Sequence, residues 1–240
     1  MKLGIFGDSF AAKLNPNLSR THTDLSWMEL VKEHLGCSMK IHALQGTSLW
    51  FSFEKFMQFH EKYSHIVVCY TGAERINYMP AHLASYSVIQ EKDDIDKEHF
   101  TSNIAEELLT IATARKLLYN YDLDLFIYQQ IFEKINELCF LKNIKLVNLT
   151  TTTHPLDLTN RKGDCLLDLS SISAGECKIV DIIGALPNDP RCCHMSKENN
   201  IVLADIIKES FLNENSSVIP LDKNTNFVFS KEISNRYVKR

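Results

Sequence analysis

The 240-residue sequence has no Cys-x-x-Cys pair, no internal repeat and no extended basic block. It also has no apolar run near the roughly 20 residues of a membrane-spanning helix. The first absence removes zinc ribbons and thioredoxin-type redox motifs, and the last leaves no transmembrane segment to expect. With a formal net charge of -4, the chain lacks the electrostatic footprint that nucleic-acid binding leaves. Only Arg236-Tyr237-Val238-Lys239-Arg240 is locally basic, and an end this short reads as solvated. Met1-Lys2 runs straight into a strand-like segment, so no secretory leader is expected. These features predict a soluble, cytoplasmic protein with no membrane or nucleic-acid partner.

What is present is an ordinary globular balance, 45% hydrophobic and 23% charged. The length suits a single α/β domain over 1–240 better than two small ones. Seven cysteines, an odd number, stand at positions 37, 69, 139, 165, 177, 192 and 193. Several sit in apolar runs such as Val67-Val68-Cys69-Tyr70, where Cys acts as a small buried hydrophobe. Cys192-Cys193 beside His194 falls short of a closed metal site, which needs more ligands than neighbouring side chains can bring together. Reduced thiols, no metal and no organic cofactor are expected.

Lys2 to Phe6 reads as a strand ending in the turn Gly7-Asp8-Ser9. Thr23 or Asp24 is placed to cap a helix through about Leu35, which Gly36 stops. Met39 to Leu44 reads as a strand. Gly46-Thr47-Ser48 opens a helix whose apolar side contains Leu49, Phe53, Phe56, Met57 and Phe59. His65 to Tyr70 is a continuous run of the kind that is buried on both faces of a sheet. This alternation predicts a three-layer α/β/α sandwich of flavodoxin-like type, with a central, mostly parallel, five-stranded sheet.

Residues 80–100 read as a charged surface insertion, followed by a helical region over 102–141 broken near Asn120. A strand is predicted over Ile144 to Leu149, then loops with short elements over 155–191. Ser196 caps a last helix through about Phe211, with Ile201, Leu203, Ala204, Ile206 and Ile207 on its buried side. An extension over 214–240 offers an edge hairpin from Ser217–Leu221 and Phe227–Phe229. Asn148-Leu149-Thr150 fits a glycosylation sequon, which a non-secreted chain would not use.

Parallel sheets bind ligands outside the carboxyl ends of their strands. Four polar or glycine-bearing segments fall there: Gly7-Asp8-Ser9, Gly46-Thr47-Ser48, Gly72 to Arg75, and Thr150 to His154. Alone, the first is a turn or a helix cap. It fits neither the dinucleotide nor the P-loop pattern. As a site it presents a serine, which needs a histidine to remove its proton before it can attack. His194 precedes the last helix, and Asp189 before it offers a carboxylate to fix its tautomer. The alternative for His194 is a helix-start residue with no chemical task. Asp8 shapes the turn. Thr151, Thr152 and His154, and the rim candidates His22, Trp50 and Tyr78, carry weaker signals.

Gly4-Ile5-Phe6-Gly7-Asp8-Ser9-Phe10 resembles the opening block of the SGNH (GDSL) hydrolase superfamily. That resemblance implies Ser9 as nucleophile, Gly46 as an oxyanion amide, and an Asp-His block before the last helix, here Asp189 and His194. Order and rough spacing agree over most of 1–211. The stretch Asp189 to Ser196 also resembles the histidine block of SGNH-like proteins of tailed bacteriophages, which would place the protein in a host cytoplasm. Two departures stand out. Glu74 occupies the place of the family's oxyanion asparagine, and an ionised carboxylate donates no hydrogen bond. Arg75 or Asn77 substitutes, or the hole keeps only the Ser9 and Gly46 amides, or the chemistry differs. Arg75 also suits an anionic substrate group, or pairs at the surface with Glu74 or an Asp. Second, Asp189 and His194 are five residues apart rather than three, so a turn unites them or His194 works as a dyad or with another acid.

The expectation is a serine hydrolase acting on an ester or O-acyl (acetyl) group of a small molecule or glycan. The competitors are an SGNH-like acyltransferase or catalytically silent binding protein that uses the same cleft, and a virion or assembly component.

Overall fold

A computed structural model of the chain describes residues 1–8, 10–12, 26–44, 47–72, 120–150, 165–168, 197–212 and 218–220. The strands are β1 (Lys2–Gly7), β2 (Ser38–Ala43), β3 (His65–Tyr70), β4 (Lys145–Thr150), β5 (Cys165–Asp168) and β6 (Val218–Pro220). The helices are α1 (Trp27–Leu35), α2 (Leu49–Phe59), α3 (Tyr121–Leu141) and α4 (Lys197–Leu212). A single turn of 3-10 helix, His60–Lys62, follows α2.

The strands lie in the order β2-β1-β3-β4-β5-β6, and every pair is parallel. This is the doubly wound α/β arrangement with a flavodoxin-like order. Four six-residue strands form its body, and β5 and β6 extend it with four and three residues. The expected count of five therefore becomes four full-length strands plus two short ones. The sixth arises because the apolar run Val218–Pro220 joins β5 in parallel. The proposed hairpin partner at 227–229 lies outside the described residues, as does the 80–100 insertion.

Alternation along the central strands divides the core into two layers. Leu3, Ile5, Val67, Cys69, Val147 and Leu149 pack with Trp27, Met28 and Val31 of α1 and with Leu203, Ala204, Ile207 and Phe211 of α4. Phe6, Ile66, Val68, Tyr70 and Leu146 pack on the opposite face with Leu49 and Phe56 of α2 and with Tyr128, Phe132 and Ile135 of α3. Each Val, Leu, Ile, Phe or Met side chain among them contributes roughly 1.5–3 kcal/mol on full burial.

Helix boundaries follow from local chemistry. Ser26, rather than Thr23 or Asp24, caps α1, because its hydroxyl accepts from the Glu29 amide. Gly36 ends α1 with φ 56°, a left-handed conformation that costs glycine little. Asn120 caps α3 by accepting from the Leu123 amide, and the helical segment expected before it lies outside the described residues. Two buried faces differ from expectation. In α2 the inward side includes Phe51 and Ser52, while Met57 is 45% exposed. In α4 Ile201 is exposed, and the buried stripe is Leu203, Ala204, Ile207 and Phe211.

One buried polar chain crosses the second layer. The Tyr70 hydroxyl donates to Asn148 Oδ1 at 2.9 Å, Asn148 Nδ2 donates to Asn136 Oδ1 at 3.0 Å, and Asn136 Nδ2 donates to the Phe132 carbonyl at 2.8 Å. All three side chains are buried, so each bond replaces one that water can no longer make. Asn148→Leu takes away the Tyr70 acceptor and the Asn136 donor together. It is expected to lower stability by about 2–4 kcal/mol in urea unfolding. Adding Asn136→Leu should recover part of that loss, because the second orphaned amide is then gone.

At the open edge, the His42 imidazole of β2 stacks between Phe6 (ring centroids 5.0 Å apart) and Phe59 (4.5 Å). Its Nε2 meets the Tyr63 hydroxyl at 2.6 Å. Burial first, and then the charges of Lys40, Lys55 and Lys62, lower its pKa to about 4. An unfolded imidazole titrates at about 6.5. Between these values the unfolded chain binds a proton that the folded chain refuses. The stabilisation is therefore complete above about pH 6.5 and is lost as pH falls towards 4. A loss of about 1–3 kcal/mol is expected across that window. It should shrink in His42→Phe when urea midpoints of the two proteins are compared at each pH.

Candidate active site at the carboxyl edge of the sheet

Because every described pair is parallel, the carboxyl ends of all six strands open on one edge. The chain leaves β1 for β2 on one side and later enters β3 on the other, so the end of β1 lies at the topological switch point, where crevices form. The turn that leaves β1 there is held by its own sequence. Asp8 Oδ1 accepts from the Phe10 amide at 3.0 Å, and the Asp8 carbonyl accepts from the Ala11 amide at 3.0 Å. Such a side-chain and main-chain pair is how an aspartate closes a turn.

Gly7 permits the turn to sit against β3. A Cβ at this position would lie 2.8 Å from Cys69 Cβ and 2.9 Å from Ala11 Cβ. Asp8 is almost fully buried, at 4% exposure. Burial first, and the nearby Asp8 charge second, push the Cys69 thiol well above its ordinary pKa, so Cys69 stays protonated and unreactive.

The neighbouring exits are polar and enclosed. Thr47 beyond β2 donates to the Leu44 carbonyl at 2.8 Å, and Ser48 caps α2 by accepting from the Phe51 amide. Thr71 follows β3, and Thr150 ends β4. Thr47, Ser48, Thr71 and Thr150 are all buried. Trp50, at the start of α2, is exposed and donates to Glu54 at 3.0 Å.

A longer connection reaches the turn from outside the edge. Trp27 Nε1 donates to the Phe10 carbonyl at 3.1 Å, and the Trp27 amide donates to Asn200 Oδ1 at 2.9 Å. No motif in the sequence marks Trp27, Asn200 or Thr71. The first two are legible only once α1 and α4 are known to share a sheet face.

Of the residues singled out from the sequence, Asp8 stands at the edge as expected. Ser9, Gly46, Arg75, Asn77, Asp189 and His194 lie outside the described residues, as do Glu74, Thr151, Thr152, His154, His22 and Tyr78. Cys37, Cys69 and Cys139 are free and buried. Among the described residues, no group of three or more His, Cys, Asp or Glu side chains is placed to hold a metal ion. Among the same residues, no helix is long and apolar enough to cross a membrane.

No family model and no curated protein matches the chain. Among solved structures it is similar to a protein assigned to the G-D-S-L lipolytic family from Desulfitobacterium hafniense DCB-2. That likeness has 12% identity, covers 87% of this chain and 98% of that one, and has a TM-score of 0.46. It is also similar to the psychrotrophic esterase EstA of Pseudoalteromonas sp., at 10% identity with 88% and 96% covered and a TM-score of 0.46. A third likeness is to a carbohydrate esterase family 2 enzyme with a carbohydrate-binding domain from Corynascus thermopiles. There the identity is 8%, the coverage 89% and 66%, and the TM-score 0.46.

Proposed function

We propose that the protein is a serine hydrolase that cleaves an ester or O-acyl group, such as an acetyl, from a small molecule or carbohydrate. The observation that carries this reading is the place of the Gly7–Asp8 turn. It leaves β1 at the switch point of a parallel sheet, and Ser9 is the next residue in sequence. In the proposed reaction Ser9 Oγ attacks the acyl carbonyl while His194 takes its proton, and Asp189 orients the imidazole. The Ser9 and Gly46 amides stabilise the oxyanion, with Arg75 or Asn77 as a third donor. Collapse expels the alcohol, which takes the proton from His194. Water, deprotonated by His194, then attacks the acyl-serine, releases the acid and restores the serine.

The test is labelling with a fluorophosphonate probe followed by mapping of the modified peptide, alongside turnover of p-nitrophenyl acetate and an acetylated sugar. Modification at Ser9 with turnover supports the reading. A protein that is folded, unlabelled and inactive overturns it. Glu74, standing where the resembling family has a donor asparagine, motivates a second reading as an acyltransferase or a binding protein. Labelling of Ser9 with acyl transfer to an added alcohol in preference to water would favour the first of these.

A further inference from the structure

The link from Phe10 through Trp27 to Asn200 spans most of the chain, with 173 residues separating its last two members. Phe10 follows Ser9 directly, and Asn200 comes six residues after His194. From this geometry we propose that Trp27 and Asn200 are positioning residues that clamp the Ser9-bearing turn to α4. They would thereby hold the two ends of the proposed catalytic pair in a common register. The catalytic part of this proposal rests on the serine-hydrolase reading above.

Each bond of the clamp has a distinct origin. The Trp27 ring is fixed in the first core layer with Met28, Val31, Leu203 and Ala204, so its N–H has little freedom to seek another acceptor. That single donor goes to the carbonyl of the turn. The Trp27 amide is the first of α1, one of the donors that a helix cannot satisfy internally. Ser26 serves Glu29, two residues further on, and Asn200 of α4 serves Trp27. A side chain of α4 thus caps α1. Any sliding of α4 past α1 is passed through one tryptophan to the residue beside Ser9. Misplacement of reacting groups by about 1 Å can cost on the order of a hundredfold in rate.

Trp27→Phe keeps an aromatic ring in the core but removes the N–H together with the rest of the indole's five-membered ring, so the Asn200→Leu and Asn200→Asp pair carries the finer comparison. Asn200→Leu removes the acceptor, whereas Asn200→Asp keeps one. Two readouts separate the clamp from the chemistry. The first, hydrogen exchange at the Ala11 amide, needs no activity. It should quicken about tenfold or more in Trp27→Phe and Asn200→Leu, the scale set by losing one hydrogen bond, and stay near wild type in Asn200→Asp. The second is steady-state kinetics on a short-chain ester. There kcat should fall roughly ten- to a hundredfold in the first two variants with KM little changed, and Asn200→Asp should be spared.

Unchanged Ala11 exchange in both disrupting variants overturns the clamp. Altered exchange with unchanged kcat overturns its positioning role. A wild-type protein that neither labels nor turns over ester, but whose Ala11 exchange responds as stated, supports the clamp and removes the hydrolase reading instead.

Discussion

Ser9→Ala is expected to lower turnover of a short-chain ester by about 10⁴-fold or more while leaving the urea unfolding midpoint almost unchanged. The size of the effect follows from the proposed mechanism. In that mechanism the serine oxygen is the group that bonds to the acyl carbon. A residual rate above that in water should remain, because backbone donors still bind the developing oxyanion. His194→Ala should cost a comparable factor, and combining it with Ser9→Ala should cost little more, since nucleophile and base act as one unit. Stopped assays at high enzyme concentration would measure all three variants. Activity that survives Ser9→Ala would remove Ser9 from the chemistry, and fully additive losses would separate the two residues.

Gly7→Val is expected to have the largest effect on stability, about 3 kcal/mol or more, on the scale of overpacking in a tight core. Even the first added carbon would fall within 3 Å of two others, Cys69 Cβ and Ala11 Cβ. The ladder that pairs Phe6 with Val68 fixes the spacing of β1 and β3 just before this point, so the strands cannot separate locally. The Asp8 turn would have to move instead. Gly7→Ala should show the same effect at smaller size. Ala11→Gly should rescue Gly7→Ala in part by removing one of the two contacts. Cys69→Ala should give no rescue, because the contact is with Cβ rather than sulfur. Denaturant midpoints for these four proteins test the argument, and equal midpoints for wild type and Gly7→Ala would refute it.

The strands were the most readable part of the sequence. Leu3-Gly4-Ile5-Phe6 and Ile66 to Tyr70 are apolar on consecutive positions, as burial on both faces demands, and Leu146 to Leu149 departs from this at Asn148. The stop signal at Gly36 was equally plain. The phase of the helices was not. α2 has apolar residues on most of its circumference, so nothing local distinguishes Phe51, which is buried, from Met57, which is exposed. Packing against the sheet decides between them. The same holds for Ile201 and Phe211 of α4. At the site, Gly7 and Asp8 could be read from a short motif because their roles are local. Asn148 gave only a misleading sequon, since its partners Tyr70 and Asn136 come from a strand and a helix that periodicity cannot place side by side. The Trp27–Asn200 contact was hidden for the same reason.

The way α4 completes the first core layer bears on the order in which a nascent chain can assemble. β1, α1, β2, α2 and β3 are all synthesised within the first 70 residues, yet Leu203, Ala204, Ile207 and Phe211 arrive only after residue 200. Until then, among the described residues, Leu3, Ile5, Val67 and Cys69 have α1 as their helical cover and lack the apolar stripe that α4 adds. A ribosome stalled before α4 would therefore hold a sticky half-sandwich, a natural client for a holdase chaperone.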